Sequence, residues 1–245
     1  LKAHCYMLGI KTFPEKENDF IQELNNCLSR LADSRKPKVG AVEDGRIKPK
    51  IVWKIDCLCQ GFIYRTVELA EGASVCWNKN NQLSALILAR GILETLAAAH
   101  DFFQKVKLAT TKKDLAEIDS LAMTYTFIST NSSTNEKLQA VGSLMSFIDR
   151  FDIHYLRDRN TKHLRKLYGI LSEITHPNHA GTVGFFGKLN PELHEHYFNA
   201  TPKNNEYAIS NFIAGYISIL ILESIIEKIE SLTPNIHQLV PIKNL

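Results

Sequence analysis

Between Leu83 and Ala99 the chain is apolar nearly all the way round a helix, yet it carries Arg90 and Glu94 one turn apart. A helix without a polar face has to be buried, and an unmatched buried charge costs several kcal/mol. This stretch therefore demands a layer of surrounding helices and a set of polar partners. Arg preceding Glu is the weaker order for an i,i+4 pair, and one pair leaves donors and lone pairs open. The remaining partners must come from elsewhere in the chain.

They are expected from the stretch Arg165–Asn178. Leu164, Leu167, Leu171 and Ile174 repeat as an apolar stripe, the spacing of an amphipathic helix. Tyr168, Ser172 and His176 follow at i, i+4 and i+8 beside that stripe, and Pro177 stops the helix. The two helices are expected to form the centre of the fold, with Arg90, Glu94, Tyr168, Ser172 and His176 in one hydrogen-bonded cluster. Such a cluster has two readings. It is a satisfied polar layer that fixes helix register, with His176 favoured at a helix C-terminus by the dipole. Alternatively it is a site, because a histidine beside an ion pair is tunable near neutral pH.

The other segments read as helices too. Thr12, Pro14 and Glu15 resemble a helix start, and Phe20, Leu24, Cys27 or Leu28, and Leu31 give that helix an apolar face through about Ala32. Residues 34–50 contain Pro37, Gly40, Gly45 and Pro49 and six basic residues against Glu43 and Asp44. They read as a solvated, mobile connection or as a basic arm touching phosphate. Ile51–Trp77 predicts a long helix, 78–81 a turn, and Gln82–Val106 the central helix. Thr110 or Thr111 is expected to cap a helix over Lys112–Ile128. After a polar loop at 129–135, a helix is expected from Glu136 to about Phe151. Gly181, Gly184 and Gly187 interleave with Val183, Phe185 and Phe186, which suggests a loop folded back over the helix ends. Thr201 and Pro202 introduce a last long helix ending near Leu232. No repeat and no period-two alternation is visible. The sum is one all-α domain over 1–245, a bundle of about seven helices with a Gly-rich loop after Pro177.

Composition excludes some partners. The net charge of +3 and pI near 8.5 are too mild to demand nucleic acid or a membrane surface, though local basic patches are allowed. Ala208–Ile226 is the most hydrophobic stretch, but Ser210, Asn211, Ser218 and Glu223 are costly in lipid. A buried core helix, and no membrane, is the expectation. Five cysteines with irregular spacing give no disulfide or zinc framework, which points to a reducing, cytoplasmic setting. His176–His179 and His194 with His196 lack a full ligand set, so no metal is expected. There is no Gly-x-Gly-x-x-Gly, phosphate-binding loop or nucleophile elbow, and no cofactor is expected.

The Arg-Gly-Ile-Leu-Glu helix, followed much later by Tyr-x3-Ser-x3-His-Pro, resembles a pattern in uncharacterised bacterial helical proteins similar to the HEPN group (higher eukaryotes and prokaryotes nucleotide-binding domains). The resemblance covers roughly Leu83–Asn178 with gaps. It implies RNA as partner and a metal-independent endoribonuclease of a toxin or antiviral system, acting as a homodimer that brings two Arg-x4–6-His motifs together. Here that spacing falls on Arg157 and His163, with five residues between, and not on His176. The chemistry suits the residues: a histidine takes the ribose 2′-hydroxyl proton and an arginine stabilises the charged phosphate. Arg157, Arg159, Lys162, Arg165 and Lys166 form a basic run able to hold a phosphate backbone; otherwise they are a solvated helix start, salt-bridged to Asp152 or Asp158. The competing expectation is a non-catalytic helical module that binds a partner protein or small ligand, its polar cluster purely structural.

Overall fold

A computed structural model of the chain describes residues 15–43, 46–127, 143–157, 160–198 and 206–241. Among these the protein is an all-α bundle. The long helices are α1 (Glu15–Asp33), α2 (Lys50–Asn78), α3 (Gln82–Thr111), α4 (Leu115–Phe127), α5 (Leu144–His154), α6 (His163–Thr175), α8 (Glu206–Tyr216) and α9 (Ser218–Glu230). Two short ones, α7 (Val183–Phe186) and α10 (Thr233–Leu239), complete the set. Two small antiparallel hairpins, β1 (Val42–Glu43) with β2 (Arg46–Ile47) and β3 (Gly187–Asn190) with β4 (Glu195–Phe198), had no period-two signal in the sequence.

The apolar α3 is the axle. It packs against α2, α4, α5, α6, α8 and α9, and Leu86, Ala89, Ile92, Leu93, Leu96 and Ala97 are fully buried. Its N-terminus is capped by Asn81, whose side chain accepts the Ser84 N–H. Among the described residues α3 and the span Ile209–Leu239 are long and apolar enough to cross a membrane by length and composition alone. Here both serve as core helices. The small residues on α3 set close approach: a Cβ at Gly215 of α8 would lie 3.0 Å from the Ala89 Cβ. Trp77 stacks on Phe212 at 4.2 Å between centroids, and Ser74 Oγ lies 2.7 Å from the Tyr216 hydroxyl, locking α8 to α2. At the opposite edge Arg30 of α1 donates two hydrogen bonds of 2.8 Å to Glu223 of α9. That guanidinium holds the Glu223 carboxyl below the usual range.

Several boundaries differ from expectation for local reasons. The α3 helix runs past Val106 to Thr111, because Thr110 and Thr111 donate their hydroxyls back to the Val106 and Lys107 carbonyls instead of capping the next helix. Asp114 takes that role, accepting the Glu117 N–H at 3.0 Å. Ser143 caps α5 by accepting the Ser146 N–H; the expected start at Glu136 lies outside the described residues, as do Thr12, Pro14, Thr201 and Pro202. The last long helix is divided where Leu220 N–H reaches the Ile217 carbonyl, a tightened turn. The basic connection is tied to α2. Lys48 pairs with Asp56 at 2.7 Å, Trp53 donates to the Val39 carbonyl, and Gln60 accepts the Lys36 N–H.

Beyond α6 the Gly-rich segment folds back only in its first half. A Cβ at Gly181 would lie 2.1 Å from the His176 carbonyl oxygen, so only glycine fits there. Phe185 packs against the core, but the β3–β4 hairpin stands outside it, with Leu189, Leu193, Tyr197 and Phe198 exposed.

Candidate functional site

The two central helices meet through Arg90, as the sequence required, but not with the full expected set. Arg90 Nε donates to Glu94 at 3.0 Å, and one terminal nitrogen donates to the Tyr168 hydroxyl at 2.9 Å. The other donates at 2.7 Å to Oγ1 of Thr175, a residue the sequence reading passed over. The guanidinium also lies over the Tyr168 ring, 5.0 Å from its centroid. Every nitrogen of Arg90 thus has a partner. Ser172 does not join: its Oγ is buried without a hydrogen-bond partner. Nor does His176, whose side chain is exposed. It sits at the C-cap in extended conformation and contributes its backbone N–H to the Ser172 carbonyl.

The reason is angular. Successive helical residues turn by about 100°, so position i+7 returns to within about 20° of the start while i+8 overshoots by about 80°. Thr175 therefore lies under Tyr168, and His176 does not. Pro177 adds to this by pushing the residue before it out of helical conformation, which removes His176 from the helix altogether. The heptad step from Tyr168 was the signal that could have found Thr175.

A second polar knot escaped the sequence reading. Asp101 is fully buried on α3, two residues beyond the apolar stretch. It accepts hydrogen bonds from Arg150 of α5 and Tyr125 of α4 and pairs with Lys105 at 3.0 Å. Burial, with the Asp101 charge beside it, raises the Tyr125 hydroxyl well above its ordinary pKa, so it remains a donor. The ring of Phe147 lies beneath both cations. Asp101 thereby joins three helices, and its charge is matched as burial demands.

The α5–α6 connection carries the Arg-x5-His spacing. Its far end is fixed by Asp152, buried on α5, whose two carboxylate oxygens accept the backbone N–H groups of Leu164 at 2.8 Å and Arg165 at 3.0 Å. These are orphan donors of the first turn of α6, and Asp152 caps them from another helix. Among the described residues it is not a salt-bridge partner of the basic run. Lys162, immediately before α6, is left-handed (φ 47°) and supplies no side-chain cap. Arg165 is committed to Asp149, at 2.9 and 3.0 Å, which withdraws it from the expected phosphate set. Arg157, His163, Lys162 and Lys166 are exposed, and Arg157 is also left-handed (φ 54°). Arg159 lies outside the described residues.

Arg157 lines a cavity of about 510 Å³ together with Lys107 of α3, His154 of α5 and Lys228 of α9. Among the described residues no carboxylate lines it. Among the described residues no group of three or more His, Cys, Asp and Glu side chains is placed to hold a metal ion.

No family model, no curated protein and no solved structure matches this chain.

Proposed function

We propose that this protein binds RNA and cleaves it without a metal, with Arg157 and His163 as the reacting pair, in the manner of HEPN-like toxin and antiviral nucleases. The carrying observation is the contrast between the two arginines. Arg90 is saturated by three protein partners, whereas Arg157 is exposed beside three further basic groups, with no carboxylate among the described residues of the lining. A cation already matched inside a protein has little left for a ligand, while an unmatched one gains from a phosphate.

In this reading Lys162 and Lys166 hold the backbone on either side of the reacting phosphate. Neutral His163 takes the 2′-hydroxyl proton. The 2′-oxygen attacks phosphorus, the bond to the 5′-oxygen breaks, and that oxygen leaves with a proton from water, whose hydroxide takes back the proton held by His163, giving a cyclic phosphate. Arg157 stabilises the charge that builds on the phosphoryl oxygens. A second copy of the chain, in the cytoplasm, supplies the second Arg–His pair. The test is cleavage of a defined RNA by the wild type, His163→Ala, Arg157→Ala and His176→Ala. The reading expects loss with the first two and retention with the third. Intact folding with no cleavage by the wild type would refute it.

One observation favours a second reading, a non-catalytic module that binds a partner protein. The β3–β4 hairpin exposes Leu189, Leu193, Tyr197 and Phe198 together, an apolar surface of the kind found at protein contacts. Retained partner capture by a cleavage-inactive His163→Ala protein would support it.

A further inference from the structure

The cavity under the α5–α6 connection has a floor as well as a rim. Its walls are apolar, formed by Phe103, Tyr155, Ile225 and Leu232, and its rim is cationic, formed by Lys107, Arg157 and Lys228 with His154. None of Lys107, Arg157 and Lys228 is in an ion pair among the described residues; Lys228 instead lies over the Tyr155 ring and Lys107 over the Phe103 ring. The nearby Asp101 is on hand but spent, bound by Arg150, Lys105 and Tyr125. Three like charges left unmatched around one concavity repel each other and favour an anionic guest.

The floor holds a buried polar atom with no partner. His100 lines the cavity and is fully buried. Its Nε2 lies 3.2 Å from the side-chain nitrogen of Gln104, which can only donate. The other ring nitrogen, Nδ1, is buried and has no hydrogen-bond partner. A buried polar nitrogen without a partner is rare in a folded protein, and this one belongs to a residue that lines a cation-rimmed pocket. Burial and the surrounding cations also hold this imidazole neutral at pH 7, lowering its pKa to about 4 against the pull of Asp101.

We infer that this cavity is a binding site for a phosphate monoester carried on an apolar or aromatic body, with the phosphate held by Lys107, Lys228 and Arg157 and the body seated against Phe103 and Tyr155. It takes the monoester dianion rather than a carboxylate because the rim presents three cations, which match two negative charges better than one. The site shares Arg157 with the proposed cleavage pair, but Lys107 and Lys228 carry it, and it stands even if the chain cuts no RNA.

The experiment is calorimetric titration of the full chain with phenyl phosphate, inorganic phosphate and phenol, alongside the imidazole N–H resonance of His100. Phenyl phosphate should bind saturably and more tightly than inorganic phosphate, phenol should not bind, and the His100 resonance should move. Replacing both exposed lysines (Lys107→Met with Lys228→Met) should weaken phenyl phosphate by about tenfold or more, and Lys→Arg at both positions should restore it. Circular dichroism checks that the fold is kept. Competition by an RNA bearing a terminal phosphate, but not by the same RNA without one, would identify the source as an RNA end; failure of both would identify a free small molecule. Absence of saturable binding by either phosphate, or binding unchanged in the double methionine variant, would overturn the inference.

Discussion

Asp152 offers the sharpest test of how the fold holds the α5–α6 connection. Its carboxylate accepts two backbone N–H groups at the start of α6, at 2.8 and 3.0 Å, from a fully buried position. Asp152→Ala removes both bonds and leaves two donors of the first turn unmatched in a dry site. A cap is worth about 0.5–2 kcal/mol, and hydrogen bonds to a charged group about 1.5–3 kcal/mol each. The two overlap because the same donors are counted, so the expected loss is about 3 kcal/mol. Asp152→Asn keeps one acceptor oxygen and removes the charge, for a loss of about 1–2 kcal/mol. Urea unfolding of the three proteins measures these differences. Amide hydrogen exchange supplies the local signature: the Leu164 and Arg165 amides should lose protection first in Asp152→Ala, ahead of α3. A change under about 0.5 kcal/mol, the size of an ordinary surface substitution, with those two amides still protected, would refute the reasoning.

Three further outcomes follow from single residues. His100 is held neutral in the fold, its pKa lowered from 6.5 to about 4, chiefly by burial, with His154, Lys228 and Arg150 adding to the effect and Asp101 opposing it. The unfolded chain thus binds a proton that the folded chain refuses. Its contribution is whole above pH 6.5 and is lost as pH falls toward about 4, a change of about 3 kcal/mol; His100→Phe should flatten that part of the stability–pH curve. Ser172→Ala removes a buried hydroxyl that has no partner and should leave stability unchanged or raise it by up to about 1 kcal/mol in thermal unfolding. Gly215→Ala places a methyl 3.0 Å from Ala89 and should cost about 1–3 kcal/mol, read by denaturant midpoint.

The features that repeat along the sequence were legible in it. The apolar periodicity of α2, α3 and α6 located the centre of the bundle, and the demand of Arg90 for partners pointed to Tyr168. What the sequence could not show is direction. Whether Ser172 or Thr175 reaches Arg90 depends on an angle of tens of degrees around α6, and Pro177 shifts His176 out of that helix. The Asp101 knot was hidden because its partners come from three helices with no shared spacing, and Asp101 lies just past the stretch where charge looks conspicuous. Asp152 looked like a salt-bridge partner for the basic run and is instead a cap, a role that becomes visible only when the α6 amides are seen to turn toward α5. The hairpin at 187–198 was missed because its strands are only four residues each and too exposed to alternate.

The positions of the two arginines also divide labour within the bundle. Arg90 with Tyr168 and Thr175 fixes α6 against α3, Asp101 with Arg150 fixes α5 against α3, and Asp152 fixes α6 against α5. These three links close a triangle, and each uses charges at the cost of desolvating them, a cost met by pairing the charges although one buried nitrogen of Arg150, Nη2, has no hydrogen-bond partner. A triangle so closed has little freedom to reorganise around a ligand, and its members make poor catalysts for that reason. The connection between two of its corners is different. Its ends are held by Asp152 and by α5, while Arg157 is exposed and stands outside the three links. Rigid ends with an exposed cation between them are the arrangement that an anion site requires. If the central cluster were the site, Arg90 would have to surrender one of its three partners to bind substrate, and that exchange would return roughly what it gives up. An exposed Arg157 faces no such exchange, and this asymmetry, more than any spacing of motifs, is why chemistry is assigned to the outside of the bundle and stability to its centre.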